Sequence, residues 1–266
     1  MTDYCHMARN CKDFEEARFE PGYTSPKYDG VRAFYYPGQD GQGILRSRQD
    51  KPIYGMSHIL SALNDFPHVL DLELVIPDME FNELSGIIRN HNESPEVRAH
   101  IIDSPGQGNI VRRLTRRPQN NLIWTRIPHY WCKNIAQFWR YHHQFLANGL
   151  EGSVWKSADH EYTNQRNYHW MREVPIKSED CEIVDVYEGG GKMSGMLGGF
   201  IINFGGIHCK CGTLKGFDYG RRREIWENPE EYIGLVLEVQ YKNLQPSGKP
   251  RQPRGKGFRY DKGPRP

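Results

Sequence analysis

The stretch TSPKYDGVRAFYY, residues 24–36, decides how the rest of the chain is read. It sets Lys27 and Arg32 five residues apart across Asp29-Gly30, a turn-forming pair, between two extended runs. Lysine is a poor nucleophile while protonated, and an ordinary pKa of about 10.4 keeps it protonated at neutral pH. A pocket that desolvates the ammonium, or sets another cation beside it, lowers that pKa and frees the lone pair. A bend at Asp29-Gly30 brings Arg32 back over the same site, where a guanidinium both disfavours the ammonium and binds phosphate oxygens. The plainer reading is a solvated strand lysine beside an ordinary turn, so the surroundings decide.

Outward from this stretch, residues 31–36 and 43–48 read as strands joined by the turn PGQDGQG, a hairpin signal. SHILSALNDF starts on a serine and has helical apolar spacing, HVLDLELVIP alternates like a strand, and FNELSGIIRN reads as a short helix. Residues 92–128 read as loop-rich and basic. NIAQFWRYHHQFLANGL puts Ile135, Phe138, Trp139, His142, Phe145 and Leu146 on one face of an amphipathic helix, with His142 and His143 structural, and EGSVWK follows as a strand. From Asp180 the texture changes to five short strands separated by glycine turns and interrupted by one helical insert, DYGRRREIWENPEEY. That pattern predicts a small barrel of the OB type, a common nucleic-acid platform. The boundary is expected near Ser178, giving domains 1–178 and 179–266.

Two acidic segments sharpen the reading of Lys27. DLELV carries Asp71 and Glu73 on one strand, and GLEGSVWK places Glu151 at a strand start with Val154 and Lys156 beyond it. Carboxylates from separate strands beside a nucleophilic lysine make sense where Mg²⁺ and a polyphosphate are held, with Lys156, Arg166 and Arg172 neutralising the phosphates. Charge supports a polyanionic partner. The chain of 266 residues has a net charge of only +2, yet eight bases oppose the single acid Asp261 from Lys242 onward. Clusters at Arg112, Arg113, Arg116, Arg117 and at Arg221, Arg222, Arg223 read as solvated faces or as further charge facing a polyanion such as nucleic acid. No apolar run nears the roughly 18 residues of a membrane span, and the polar first 20 residues read as neither signal peptide nor anchor. Six scattered cysteines are expected as reduced thiols in a cytoplasm. Two decoys are set aside. YEGGGKMSGMLGG lacks the Gly-Lys-Ser/Thr ending of a phosphate loop and reads as a flexible barrel loop. IHCKC lacks paired zinc-ligand spacing, and strand alternation explains His208, Cys209 and Cys211.

Taken in order, KYDGVR, SRQDKP, DLELV with EFNELSGIIR, LEGSVWK, the stretch ending VPIKSEDCEIV, and PRQPRGKGFR resemble the motifs of ATP-dependent DNA ligases, most of all the small bacteriophage-type enzymes. The resemblance runs from about Tyr23 to the C-terminus. It implies an α+β chain: an antiparallel-sheet nucleotidyltransferase (ATP-grasp-like) domain followed by an OB-fold β-barrel. It further implies that Lys27 takes AMP from ATP, that Ser25, Pro26 and Tyr28 lie on the adenine side, and that Arg32 and Arg48 approach the nucleotide and the nick. Glu73 then touches ribose or metal, Glu151 is the metal-associated carboxylate, and Lys156, Arg166 and Arg172 face the phosphates. Two departures stand out. In WMREVPIK, Arg172 takes the first basic place of a family motif, Val174 the second, and Lys177 is the nearest substitute. In AHIIDS, Ile102 stands where an aromatic commonly stacks on adenine, leaving Ile102 and Val154 to pack the base. The implied reaction seals nicked duplex DNA with ATP and Mg²⁺ in a bacterial cytoplasm as a monomer, the barrel gripping DNA through Lys192, Arg251, Arg254 and Arg259. An RNA ligase, an mRNA capping guanylyltransferase and a non-enzymatic OB binding module are the alternatives.

Overall fold

The computed structural model describes residues 6–10, 19–38, 41–212, 216–245 and 247–262. The chain divides into two compact units, Met1–Val174 and Pro175–Pro266. In chain order the first holds β1 (Met7–Asn10), β2 (Gly22–Lys27), β3 (Val31–Tyr36), β4 (Ile44–Ser47), β5 (Pro52–Ile53), α1 (Ser57–Ala62), β6 (Leu70–Val75) and α2 (Phe81–Arg89). It continues with β7 (Arg98–Asp103), α3 (Ile110–Thr115), β8 (Trp124–Arg126), β9 (Tyr130–Cys132), α4 (Ile135–Ala147), β10 (Gly152–Ser157) and β11 (Arg166–Glu173).

These strands form a five-stranded sheet, β1-β11-β10-β2-β9, and a six-stranded sheet, β5-β4-β3-β6-β7-β8. Both are antiparallel except at one edge each, where β1 runs parallel to β11 and β8 parallel to β7. At the second of these edges the β7–β8 connection passes through α3, which reverses the chain and lets the next strand pair in parallel. The segment read as loop thus holds β7, α3 and β8, and β7 escapes a sequence reading because Arg98, His100 and Asp103 break its apolar signature although Ala99 and Ile101 are buried.

Period-2 alternation separates the two faces of each sheet. Ala33, Tyr35, Leu70, Leu72, Leu74, Ala99 and Ile101 join Ile59 of α1 and Leu84 and Ile88 of α2 in one core. Trp155, Met171 and Cys132 of the other sheet pack on Phe138. The helix α4 begins where the Asn134 side chain accepts the Gln137 amide, and it buries Phe138, His142 and Phe145, the stripe its sequence spacing predicts. His142 is structural in kind: its Nδ1 lies 2.9 Å from Ser153 Oγ.

The second unit contains β12 (Lys177–Glu188), β13 (Leu197–Phe204), β14 (Ile207–Gly212), α5 (Tyr219–Glu227), β15 (Val236–Tyr241) and β16 (Arg254–Phe258). The strands close into a barrel, β12-β13-β14-β16-β15, whose seam is the parallel pairing of β14 with β16. Closure leaves no open edge and buries Ile183, Phe200, Ile202, Cys211, Leu237 and Val239 with Ile225 of α5. The glycine-rich segment forms a single short turn, Gly191–Met193, between β12 and β13. On β14 the side chains of Cys211 and His208 fall on opposite faces, Cys211 in the barrel core and His208 exposed. Lys177 and Ser178 open β12 and so belong to the barrel unit.

Candidate active site

The polar faces of the two sheets of the first unit meet across a cleft. On β2, β10 and β11 the register pairs Ser25 with Val154, Val154 with Arg172, Lys27 with Gly152, and Lys156 with Trp170. Directly paired residues project to one side, so Ser25, Lys27, Val154, Lys156, Trp170 and Arg172 share a face while Trp155 and Met171 enter the core behind. In the other sheet Arg32, Glu73 and His100 form one cross-strand row, and Ile102 follows at a bulge of β7, between the paired residues Ile101 and Asp103.

Lys27 ends β2 at the mouth of this cleft. Its Nζ donates to a Glu151 carboxylate oxygen and, at 3.5 Å, to the Tyr28 carbonyl. The Glu151 amide donates to the Lys27 carbonyl at 3.1 Å, which fixes the two side chains together at the end of the β2–β10 ladder. The lysine is 23% exposed and the glutamate 5%, so the pair is reachable from one side only. Gly152 follows with a φ of +156°, and a Cβ there would stand 2.1 Å from the Glu173 carbonyl, so glycine alone fits.

Glu73 faces the same point from the second sheet. Burial pushes its carboxyl up to about 7, with Lys27 and Arg32 pulling it back and Asp71 and Glu151 pushing it further. One oxygen accepts the Gly30 amide at 3.2 Å. The glycine of the opening motif is needed for that approach, since a Cβ on Gly30 would lie 2.4 Å from the Leu74 carbonyl and 2.7 Å from Glu73 Cγ. Asp71, read from sequence only as a companion of Glu73, is the anchor of Arg32. It accepts Nε at 2.9 Å and Nη2 at 2.7 Å, and it also accepts the Tyr162 hydroxyl at 2.8 Å. This bidentate hold orients the guanidinium beside Glu73.

Lys156 stands apart from its expected place against the phosphates. Its side chain is 0% exposed, and its Nζ sits 3.4 Å from the Ile102 carbonyl, 3.4 Å from Asp103 Oδ2, 3.1 Å from His129 Nε2 and 4.1 Å from the Trp170 ring centroid. Burial pushes the ammonium down to about 8, against the opposing pull of Asp103 and Asp71. Burial would raise Asp103, but Lys156 and Arg113 outweigh it and hold the carboxyl below the ordinary range. Arg113 is itself wholly buried, reaching Asp103 at 3.1 Å and the Gly108 and His160 carbonyls at 2.8 and 2.9 Å. Lys156 therefore ties β10 to the end of β7 at the buried end of the cleft.

The remaining expected residues divide by location. Ser25 Oγ donates to the Val154 carbonyl at 3.3 Å, and Pro26 and Ser25 are buried while Val154 and Ile102 are half-buried. The Tyr28 ring stacks on His100 at 4.1 Å, a pairing that strand alternation in RAHIID would have exposed. Arg172 donates its Nε to Asn10 at 2.9 Å. Its charged neighbours are Arg166, Glu151 and Arg48. Lys177 belongs to the barrel unit.

In the barrel, Lys192 and Arg254 are exposed and Arg251 is half-buried. Arg259 is held by Asp261 at 2.8 and 2.9 Å and by Asp180 at 3.2 Å, and Lys262 reaches Asp180 at 2.6 Å. Lys256 pairs with Glu238 at 2.7 Å. The basic excess of the C-terminal segment is therefore offset by acids from β12 and β15, and its last base, Arg265, lies outside the described residues. The arginine clusters are corrected too. Arg113 and Arg117 point inward, Arg117 giving Nη1 to the Ile101 and Ile127 carbonyls, and Arg222 donates to the Leu197 carbonyl at 2.9 Å. These three are structural arginines and supply no polyanion-facing charge.

The profile of the DNA ligase OB-like domain family matches residues 188–259. Over 239 residues the chain is 26% identical to the DNA ligase of Haemophilus influenzae, covering 85% of this chain and 82% of that one. It is 24% identical over 277 residues to the DNA ligase of African swine fever virus, covering 93% of this chain but 65% of the longer viral enzyme. Among solved structures, a Lig E DNA ligase, described as binding DNA with a minimal scaffold, superposes with a TM-score of 0.79 at 20% identity over 97% of this chain and 100% of that one. The nucleotidyltransferase-plus-OB fold of these ligases is thus the fold of this chain.

Proposed function

We propose that the chain is an ATP-dependent DNA ligase that seals nicks in duplex DNA, with Lys27 as the residue that carries AMP. The observation that bears this reading is the placement of Lys27 against Glu151 at the mouth of a cleft that Glu73 enters from the other side, in a chain similar to DNA ligases along most of its length. Lys27 Nζ attacks the α-phosphorus of ATP, a P–N bond forms, and pyrophosphate leaves with the electrons of the broken P–O bond. Glu151 is hydrogen-bonded to Nζ and is the nearest carboxylate to receive its proton. The 5′-phosphate at the nick then displaces Lys27 from AMP, and the 3′-hydroxyl displaces AMP to close the backbone.

The residues present fit Mg²⁺. Among the described residues no three His, Cys, Asp or Glu side chains gather to hold an ion by themselves, and Mg²⁺ usually takes one or two carboxylates together with substrate phosphates. Glu73 and Glu151, near enough that the second raises the proton affinity of the first, are the two that would hold it, and the ion would offset charge on the phosphates. Arg172, Arg166 and Arg48 meet phosphate oxygens in this reading, Ser25, Tyr28, Ile102 and Val154 surround the base while Pro26, on the opposite face of β2, supports them from behind, and the barrel grips DNA through Arg251, Arg254 and Lys192. Such an enzyme serves DNA replication, repair and recombination, acting as a monomer. The test is incubation with ATP or GTP labelled at the α-phosphate, followed by denaturing electrophoresis. Label from ATP is expected to remain on the protein and to vanish in Lys27→Ala. Labelling by GTP in its place, or label persisting in Lys27→Ala, overturns the reading.

A further inference from the structure

Where the resemblance leads one to look for two basic residues, this chain keeps one in the first unit: Val174 follows Arg172, and Lys177 lies in the barrel unit. A single guanidinium doing that work must be held in one plane, because its donors form a rigid fork that matches phosphate only in register. The structure supplies the hold. Strand β1 adds to the edge of the five-stranded sheet in parallel with β11, and the register sets Asn10 opposite Arg172. Asn10 Oδ1 accepts the Arg172 Nε–H at 2.9 Å. On the other side of Arg172, Val154 is its cross-strand neighbour, and Gly152 two residues before Val154 is the partner of Lys27. An acceptor on Nε fixes the guanidinium plane and leaves both Nη groups for other oxygens. The strand that carries Asn10 is itself anchored: His6 stacks on Trp170 at 4.5 Å and Arg9 lies 4.1 Å over the Tyr168 ring.

We propose that Asn10 is a positioning residue for nucleotide transfer, holding the Arg172 guanidinium by Nε so that its two Nη groups meet phosphate oxygens at Lys27. This rests on the reading of Lys27 as the AMP carrier. The test is a double-mutant cycle on the rate of self-adenylylation by ATP, with Asn10→Ala, Arg172→Lys and the pair. Lysine keeps the charge but has no Nε–H of this geometry.

Asn10→Ala should lower the maximal single-turnover rate constant about tenfold with little change in the ATP concentration that half-saturates it, the size of one missing charge-assisted hydrogen bond. Asn10→Asp keeps the acceptor and should recover most of that loss. In the Arg172→Lys background Asn10→Ala should change nothing further. Should Asn10→Ala also lower the melting temperature, the cycle still decides, because a general loss of folding persists in that background. A wild-type rate in Asn10→Ala, or losses that multiply in the pair, overturns the inference while leaving Lys27 in place. Absence of label on the wild-type protein overturns the reading of Lys27 and the inference with it.

Discussion

The cleft of the first unit and the outer face of the barrel carry the same residue types and use them in opposite ways. In the cleft, Lys156, Asp103, Arg113, Arg32 and Asp71 are interlocked largely out of solvent, each charge facing a fixed partner. On the barrel, Arg259, Lys262 and Lys256 reach Asp180, Asp261 and Glu238 across an exposed surface. Water decides what each arrangement is worth. Buried partners cannot be replaced by solvent, so removing one leaves an uncompensated charge, whereas exposed pairs exchange with water and salt at little net gain. A charge in the cleft is thus part of the architecture, and a charge on the barrel is available for another partner in proportion to how loosely it is held.

The contrast breaks or holds most sharply at Lys156. Replacing it with Met keeps the volume but leaves buried Asp103 to Arg113 and takes away the donor that faces His129 Nε2. The expected loss is about 3 kcal/mol of unfolding free energy, measured by urea denaturation and insensitive to salt. Lys256→Met on the barrel, which removes the exposed pair with Glu238, should leave the denaturation midpoint nearly where it was. Equal losses at the two positions would end the comparison.

How much of this was legible in the sequence follows the same division. The strands and helices carrying the opening motif were readable because period-2 and helical spacing survive wherever one face is buried, as in VRAFYY and α4. Lys27, Glu73 and Glu151 stand out in the sequence as a lysine beside Asp-Gly and carboxylates on separate segments, and the fold brings their side chains within electrostatic reach of one another. Three things were not readable. The depth of Lys156 depends on Asp103 and His129, which lie 53 and 27 residues away in the chain. The inward aim of Arg113, Arg117 and Arg222 is hidden in clusters that look solvated, because composition does not record which arginine of a run faces a carbonyl. The strand β1 and its Asn10 lie in a polar segment with no alternation to mark it, and pairing with β11 comes from opposite ends of the unit.

Glu73 tests the cleft from the side of pH. Its folded-state value of about 7 stands above the ordinary carboxylate value of 4.5, so between those two pH values the folded chain binds more protons than the unfolded one. Stability attributable to this group therefore falls as pH rises through that window, and the penalty is complete above it. Glu73→Gln should be more stable than wild type at pH 8 by up to about 3 kcal/mol, with the advantage shrinking toward pH 4. Activity should run the other way. Self-adenylylation by the wild-type protein should drop about tenfold between pH 8 and pH 6 as the carboxylate takes a proton, and more Mg²⁺ should move the midpoint to lower pH. A flat wild-type profile together with an unaltered Glu73→Gln stability would mean the carboxylate titrates as in water.

The smallest effect, and the one that separates charges within the barrel itself, concerns salt. Each base seated on a phosphate releases counterions, so the slope of log affinity against log salt becomes shallower by about 0.9 for every such base removed. Arg254 opens β16 with its side chain exposed, while Arg259 is gripped by Asp261 and Asp180. A guanidinium that already faces two carboxylates has little to gain from a phosphate, since the acids must first be released. Arg254→Gln should therefore make the slope for nicked-DNA binding shallower by about 0.9, the share of a single phosphate. Arg259→Gln should leave the slope almost unchanged, although it frees two acids on the same surface and weakens binding slightly through their repulsion of the duplex. The readout is fluorescence anisotropy of a nicked duplex across a salt series, with self-adenylylation followed in parallel as a control that neither change should alter. A shallower slope in Arg259→Gln and an unchanged one in Arg254→Gln would reverse the assignment, showing that the acid-held arginine turns to DNA and that the loosely held one points into solvent.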